Sequence, residues 1–209
     1  MLISRRVPKT IQWIIKLFII YLCIFTAFRI ATVICFKPNN IAVLELFPSF
    51  WLGLKYDLRW IAIILLPMAI LSLYPRLSPF YSERGKKRWS IYLGFLTLLV
   101  LFFYGADFGQ FAYINARLNA DALIFAEDPR ESIQMVWESY PIVWILLGLA
   151  GAVIMMTWMF RRTHVDVTEK NINIHKFTYR RRWHAAALIL LFWFVYGFFT
   201  VKPLNFFKA

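Results

Sequence analysis

Residues Ile11 to Phe36 read IQWIIKLFIIYLCIFTAFRIATVICF, and this stretch decides the class of fold. Lys16 and Arg29 are its only charges, and it exceeds the about 20 apolar residues that a helix needs to cross the hydrocarbon of a bilayer. Arg5, Arg6 and Lys9 stand ahead of it, as basic residues stand ahead of a signal peptide. The run is too long for one, and no small-residue cleavage site follows, so it is expected to remain attached as an anchor.

Working outward from this run, four more stretches have comparable length: Trp51 to Tyr74, Trp89 to Ala106, Pro141 to Phe160 and Trp183 to Val201. Trp51, Tyr74, Trp89, Tyr104, Tyr140 and Trp183 mark their ends, where amphipathic rings settle at the headgroup level. The whole composition agrees: 209 residues that are 61% hydrophobic, 19% aromatic and 17% charged cannot hide their apolar mass inside one soluble domain. Lipid offers no partner to a bare peptide group, so spans of this length must be helices. The expected fold is an all-α integral membrane domain of five transmembrane helices occupying residues 1–209.

The net charge of +13 would point to nucleic acid if the basic residues formed one stripe, but they fall in clusters between the apolar runs. Arg5, Arg6, Lys9 and Lys16 precede or enter span one; Arg76, Arg84, Lys86, Lys87 and Arg88 lie between spans two and three. Arg161, Arg162, Lys170, Lys176, Arg180, Arg181 and Arg182 lie between spans four and five, so one side collects sixteen of the 24 basic residues. That side is expected to be cytoplasmic, with the C-terminus outside and no nucleic-acid partner. The loop facing the other way, 107–140, holds Asp107, Asp121, Glu127, Asp128, Glu131 and Glu138 against Arg117 and Arg130. Anionic lipid headgroups are the ordinary counter-ions of the basic clusters.

This outer loop has its own periodicity. Phe108, Phe111, Leu118, Ala122 and Phe125 recur at helical spacing and predict a helix lying at the membrane surface. Asp128, Pro129 and Glu131 then read as N-cap, first helical residue and N3 of a second interfacial helix, whose apolar face is Ile133, Val136, Trp137 and Tyr140. Two amphipathic helices without any ligand satisfy the same pattern.

Charges within the spans carry the most information, because an ionised group in hydrocarbon costs at least about 2.5 kcal/mol unless it is paired, hydrated or snorkelled. Arg29 lies about 10 Å from the outer end of span one, and Lys55, Asp57 and Arg59 interrupt the outer end of span two. Lys55 and Arg59 share a helical face while Asp57 points away from it, leaving the carboxylate to meet a cation from another helix. Arg29 is at a suitable depth, and a pair between spans one and two is the expectation, with Lys55, Arg59, Asp107 and Arg117 completing a polar floor. The alternative is that Lys55 and Arg59 only snorkel to headgroups. Cys23 and Cys35, twelve residues apart on one helix, are separated by about 18 Å and read as small apolar residues rather than a bridge. His164, His175 and His184 fall in or beside the basic loop between spans four and five. A haem subunit would need histidines facing one another within spans, which this pattern excludes.

Gly53-Leu54-Lys55-Tyr56-Asp57-Leu58-Arg59, together with Arg29 and with Asp107 through Phe111, Tyr113, Arg117, Leu118 and Asn119, resembles the membrane domain of lipoteichoic acid synthase-like phosphoglycerol transferases, members of the alkaline phosphatase/sulfatase superfamily. The resemblance covers essentially the whole chain and is most specific between Asp107 and Pro141. It implies five spans, a cytoplasmic N-terminus, an outer C-terminus and a bacterial cytoplasmic membrane. In that family the fifth span leads into a large extracytoplasmic domain, in which a threonine nucleophile and a divalent metal (Mn, Mg or Zn) transfer phosphoglycerol or phosphoethanolamine from a phospholipid to a glycan or lipid.

The present sequence stops eight residues after Val201, before any such domain, so no nucleophile, metal ligand or cofactor is carried over to it. The resemblance implies membrane phospholipid as partner, together with a fused or separate sulfatase-type domain. It implies a lipid-headgroup or interdomain role for Arg29, Lys55, Asp57, Arg59, Asp107, Tyr113, Arg117 and Asn119. The rival expectation is a free-standing structural or assembly membrane protein, for which small residues such as Gly148 and Ala152 suffice as packing sites.

Overall fold

The long apolar runs form helices, and the helices extend into the charged segments that flank them. The computed structural model describes residues 7–36, 43–74, 77–80, 83–114, 128–140, 142–169 and 177–196. The order is α1 (Lys9–Phe36), a short 3-10 turn (Val43–Leu46), α2 (Phe47–Leu71), α3 (Glu83–Ile114), α4 (Pro129–Ser139), α5 (Ile142–Glu169) and α6 (Phe177–Tyr196), with no strand among the described residues. Pro48 sits in the first turn of α2, where its missing N–H is no loss. Pro129 opens α4 directly after Asp128.

Three stretches are long and apolar enough to cross a membrane, Lys9–Phe36, Arg84–Ala112 and Ile142–Val165, and they mark the chain as a membrane protein. The other two expected spans are helical but do not qualify on length and composition alone. In α2, Lys55, Asp57 and Arg59 occupy the N-terminal half, and in α6 the apolar stretch runs only from Arg182 to Tyr196. Helical hydrogen bonding also passes through several expected boundaries. Arg84 to Arg88 and Phe108 to Ile114 belong to α3, so the surface helix expected from Phe108 is continuous with the third span. Arg161, Arg162 and His164 lie within α5. Lys, Arg and Glu are good helix formers, and no Pro or Gly intervenes between Phe160 and Glu169 to stop the helix. Residues 115–127 and 197–201, to which the rest of the expected surface helix and the end of the expected fifth span fall, lie outside the described residues.

The chain divides into two units, Met1–Trp89 with Thr163–Ala209, and Ser90–Arg162. In the first, α2 packs against both α1 and α6, and α1 also touches α6. Each helix buries one stripe at helical spacing: Ile14, Leu17, Tyr21, Ile24 and Phe25 on α1; Asp57, Ile61, Ile64, Leu65 and Met68 on α2; His184, Leu191 and Val195 on α6. Phe18 stacks on Phe194 with ring centroids 5.8 Å apart. Lipid tails are as apolar as these side chains, so the contact is held by close packing and polar groups rather than by escape from water.

One end of this unit is tied together by a knot of rings and carbonyls. The chain leaves α2 through successive turns, with Tyr74 accepting from the amides of Leu77 and Ser78. The indole of Trp89 donates to the Leu77 carbonyl at 2.6 Å. His164 lies flat on Phe80 (centroids 4.4 Å apart, planes 5° apart) and meets the edge of Trp13, whose indole reaches the Thr163 hydroxyl at 3.3 Å. His164 Nε2 is 3.0 Å from the Pro79 carbonyl, which only accepts, so the proton is on Nε2.

In the second unit, Leu93, Thr97 and Leu101 are buried along one line of α3. Gly94 brings the α3 backbone within van der Waals reach of Thr157 on α5, where an added Cβ would lie 3.6 Å from the hydroxyl. The threonine hydroxyls are satisfied locally, Thr97 on the Leu93 carbonyl and Thr157 on the Val153 carbonyl, as Thr32 in the first unit is on that of Phe28. Most of the α5 surface is exposed, including Trp144, Ile145, Leu147, Ile154 and Trp158.

The tightest backbone approach yields a prediction. A Cβ on Gly85 would stand 2.6 Å from the Ser78 carbonyl oxygen, a backbone atom that cannot rotate aside. Gly85→Ala would gain about 1 kcal/mol of helix propensity on an open surface. Here the overlap is expected to outweigh that gain and leave a net loss of about 1–3 kcal/mol. Thermal unfolding of the detergent-solubilised chain, followed by tryptophan fluorescence, measures it; an unchanged or raised midpoint contradicts the close contact.

Candidate functional site

Asp57 lies on the buried stripe of α2, one turn before Ile61, where a carboxylate stays ionised only beside a cation. Arg29 of α1 supplies it. Its Nη2 donates to Asp57 Oδ2, its Nη1 donates to the Phe50 carbonyl at 2.7 Å, and the side chains of Arg29 and Asp57 are 19% and 7% exposed. Phe50, Gly53 and Asp57 follow one another at three- and four-residue steps, so the guanidinium spans two turns of one face of α2.

Gly53 makes this seat. A Cβ there would fall 2.5 Å from Arg29 Cζ and 2.7 and 2.8 Å from its two terminal nitrogens, which puts the vacant position over the flat of the guanidinium. With hydrogen in place of a methyl group, the planar cation rests on bare helix backbone, one nitrogen turned to a carbonyl and the other to a carboxylate. Lys would not fit the same demands, since a point-like ammonium has neither the plane nor the fork.

The remaining polar residues singled out by sequence are distributed differently. Lys55 and Arg59 are half-buried on another face of α2, about 160–200° around the helix from Asp57, and the Lys55 ammonium lies 5.6 Å from the centroid of the Trp51 ring. Asp107 is on α3 in the second unit, and Tyr113 is in the last turn of that helix. Arg117 and Asn119 lie outside the described residues. Within the expected polar floor, Arg29 and Asp57 are joined by a salt bridge. The arrangement fixes the register of two helices and holds a carboxylate ionised on a buried face.

Two features escape the sequence reading. Gly53 is legible in retrospect, since it precedes Asp57 by one turn on the same face, where a small residue beside a buried carboxylate leaves room for its partner. His164 is assigned by sequence to a place in or beside a polar loop, yet it is buried at 6% exposure, and Val167 is fully buried. The signal is periodic: Phe160, His164 and Val167 continue one face of α5 past Arg161 and Arg162.

Breaking one side of a buried pair costs about 3–5 kcal/mol, because the survivor is left charged without a partner. Asp57→Ala and Arg29→Ala are each expected to fall in this range, while the double variant recovers most of the loss, with a coupling of more than about 1 kcal/mol. Gly53→Ala is expected to destabilise the wild-type chain and to be much milder in the Arg29→Ala background. Urea or thermal unfolding in a fixed detergent measures the cycle, and strictly additive losses contradict the geometry.

No protein-family model, no curated protein and no solved structure matches the chain.

Proposed function

We propose that the chain is the membrane-anchoring domain of a sulfatase-family phosphoglycerol or phosphoethanolamine transferase that acts on glycans or lipids of the bacterial cell envelope, with five spans, a cytoplasmic N-terminus and an outer C-terminus. The observation that carries this reading is the Arg29–Gly53–Asp57 contact. These three residues belong to the segments on which the likeness to that family rests, and they meet at a single point. A pattern retained for helix propensity alone would not need a glycine, an acid and a distant arginine in register.

The same pair supports the membrane assignment of α2. Asp57 is paired with Arg29, and the two other charged residues of this helix, Lys55 and Arg59, have stems long enough to reach headgroups. Its 25 residues then span about 38 Å, more than the about 30 Å of hydrocarbon. The 20 residues of α6 span about 30 Å. In α4, Ile133 and Trp137 are exposed on one face while Gln134 donates to Glu138 at 2.9 Å on another, which suits a helix lying in the interface.

In this reading Arg29, Lys55, Asp57 and Arg59, with Asp107, Tyr113, Arg117 and Asn119, position a phospholipid headgroup or seat the extracytoplasmic domain. The divalent metal of the reaction belongs to that domain. The alternative is a free-standing structural or assembly protein, and one observation favours it: the arginine is already bonded to a carboxylate and a carbonyl of its neighbour helix, a use that needs no ligand.

Two measurements separate the readings. Alkaline phosphatase fused after Ala209 is expected to be active, and fused after Arg88 or Arg182 to be silent; the reverse pattern overturns topology and kinship together. Sequencing the gene past codon 209 is expected to reveal a sulfatase-type domain in frame or in the adjacent reading frame, whereas its absence selects the assembly protein.

A further inference from the structure

The two halves of α2 are held in different ways. From Ile61 to Ala69 the helix buries Ile61, Ala62, Ile64, Leu65, Met68 and Ala69 against its neighbours. From Phe47 to Trp60, where every residue is described, Asp57 alone is buried, while Phe47, Trp51, Tyr56 and Trp60 are exposed. The C-terminal half is packed, whereas the N-terminal half is pinned by the seat that Arg29 takes on it.

Lipid gives this difference a consequence. Apolar side chains that already face acyl chains keep them as partners in another position of the helix, so the N-terminal half loses little packing by leaving α1. The contact opposing its departure is the guanidinium on Gly53, bonded to the Phe50 carbonyl and to Asp57. The ammonium of Lys55 lies over Trp51 of the same segment, so that contact travels with it. Phe194 of α6 stacks on Phe18, about 16 Å along α1 from Arg29. A joint is also present: Pro67, inside α2, has no N–H for the Ile63 carbonyl, and a helix bends most easily where its hydrogen-bond ladder is interrupted. Ile61 and Ala62 stand beside this joint and move little in a bend, whereas Ser49 is about 21 Å from Ile63 and moves most.

We propose that the N-terminal half of α2 is a latched arm, which swings away from α1 as one helical body about the Ile63–Pro67 joint when the Arg29 seat opens, and closes when the guanidinium returns to Gly53. Moving elements are drawn from the least buried parts of a fold, and here a polar seat sets the position of a segment that apolar packing leaves free to move. Opening bares Arg29 and Asp57 together, while the C-terminal half of α2 keeps its place against α1 and α6. The device goes beyond the anchoring role and does not depend on an extracytoplasmic domain.

Distances between spin labels test it, measured by pulsed electron resonance on the full chain in vesicles of phosphatidylethanolamine and phosphatidylglycerol. One pair joins the exposed Cys35 of α1 to S49C on α2 in a C23S background; the other joins I15C on α1 to L71C on α2 in a C23S/C35S background. With the seat intact, both pairs are expected to give one narrow distance. D57N, which removes the charge, and G53A, which keeps both charges but fills the seat, are each expected to broaden the first pair and lengthen it by about 5 Å, the travel of a tip about 20 Å from its joint swung through about 15°. The second pair is expected to stay narrow in both variants. P67A restores the missing N–H, and D57N/P67A is expected to bring the first pair back toward its narrow distance. A first pair unmoved by both D57N and G53A, a second pair that broadens as much as the first, or a D57N/P67A distribution as broad as that of D57N each overturns the latched arm.

Discussion

The constraint on which the rest depends is the ionisation of Asp57 on a buried helix face. A carboxylate in that position is tolerable only with a cation in contact; Lys55 and Arg59, two residues away on either side, sit on another face of α2, and the contact is made by Arg29 of α1. Meeting that demand fixes how far α1 slides along α2, which residue of α2 must lack a side chain, and which carbonyl takes the second guanidinium nitrogen. The apolar stripe below, Ile61, Leu65 and Met68, then falls into place without further instruction. In lipid such contacts choose little among themselves, because a leucine is nearly as content against an acyl chain as against another leucine. The polar contact supplies the selectivity that the apolar ones lack.

At the far end of the same unit a different device is used. Neutral groups are joined there: an imidazole to a proline carbonyl, an indole to a leucine carbonyl, another indole to a threonine hydroxyl. Flat rings fill the space between them, with His164 against Phe80 and Trp13. These donors reach carbonyls of Leu77 and Pro79 beyond the end of α2, so the turn after the helix is closed without any charge. One unit thus holds an ionic fastening and a neutral one, each where the local backbone supplies the matching partner.

Sequence made the helical class plain, and the physical reason is that lipid leaves the backbone few other choices. The cross-helix partner of Asp57 was legible too, since depth along a helix follows from counting residues. Helix ends were less legible. Arg84 to Arg88 and Arg161 to Glu169 were read as loop, and Phe108 to Ile114 as part of a separate surface helix, because their polarity changes, yet polarity decides where a helix meets water and does not end it. Termination needs Gly, Pro or a capping residue, and these segments have none placed to act, Gly85 and Gly109 being accommodated inside α3. His164 was misplaced for the same reason: counted as loop it seemed solvated, whereas its helical phase turns it inward.

The sequence distances between contact partners also order events during synthesis. Arg29 and Asp57 are 28 residues apart, Pro79 and His164 are 85, and Trp13 and Thr163 are 150. At a translation rate of about 5–20 residues per second, the ionic contact can close within about 6 s of the arginine leaving the ribosome, while the tryptophan waits about 8–30 s for its threonine. The first helical pair is therefore sealed before the last helices exist. The knot at the other end stays open to the insertion machinery until Thr163 and His164 of α5 have been made, and α6 enters a membrane in which its two neighbours have already been aligned.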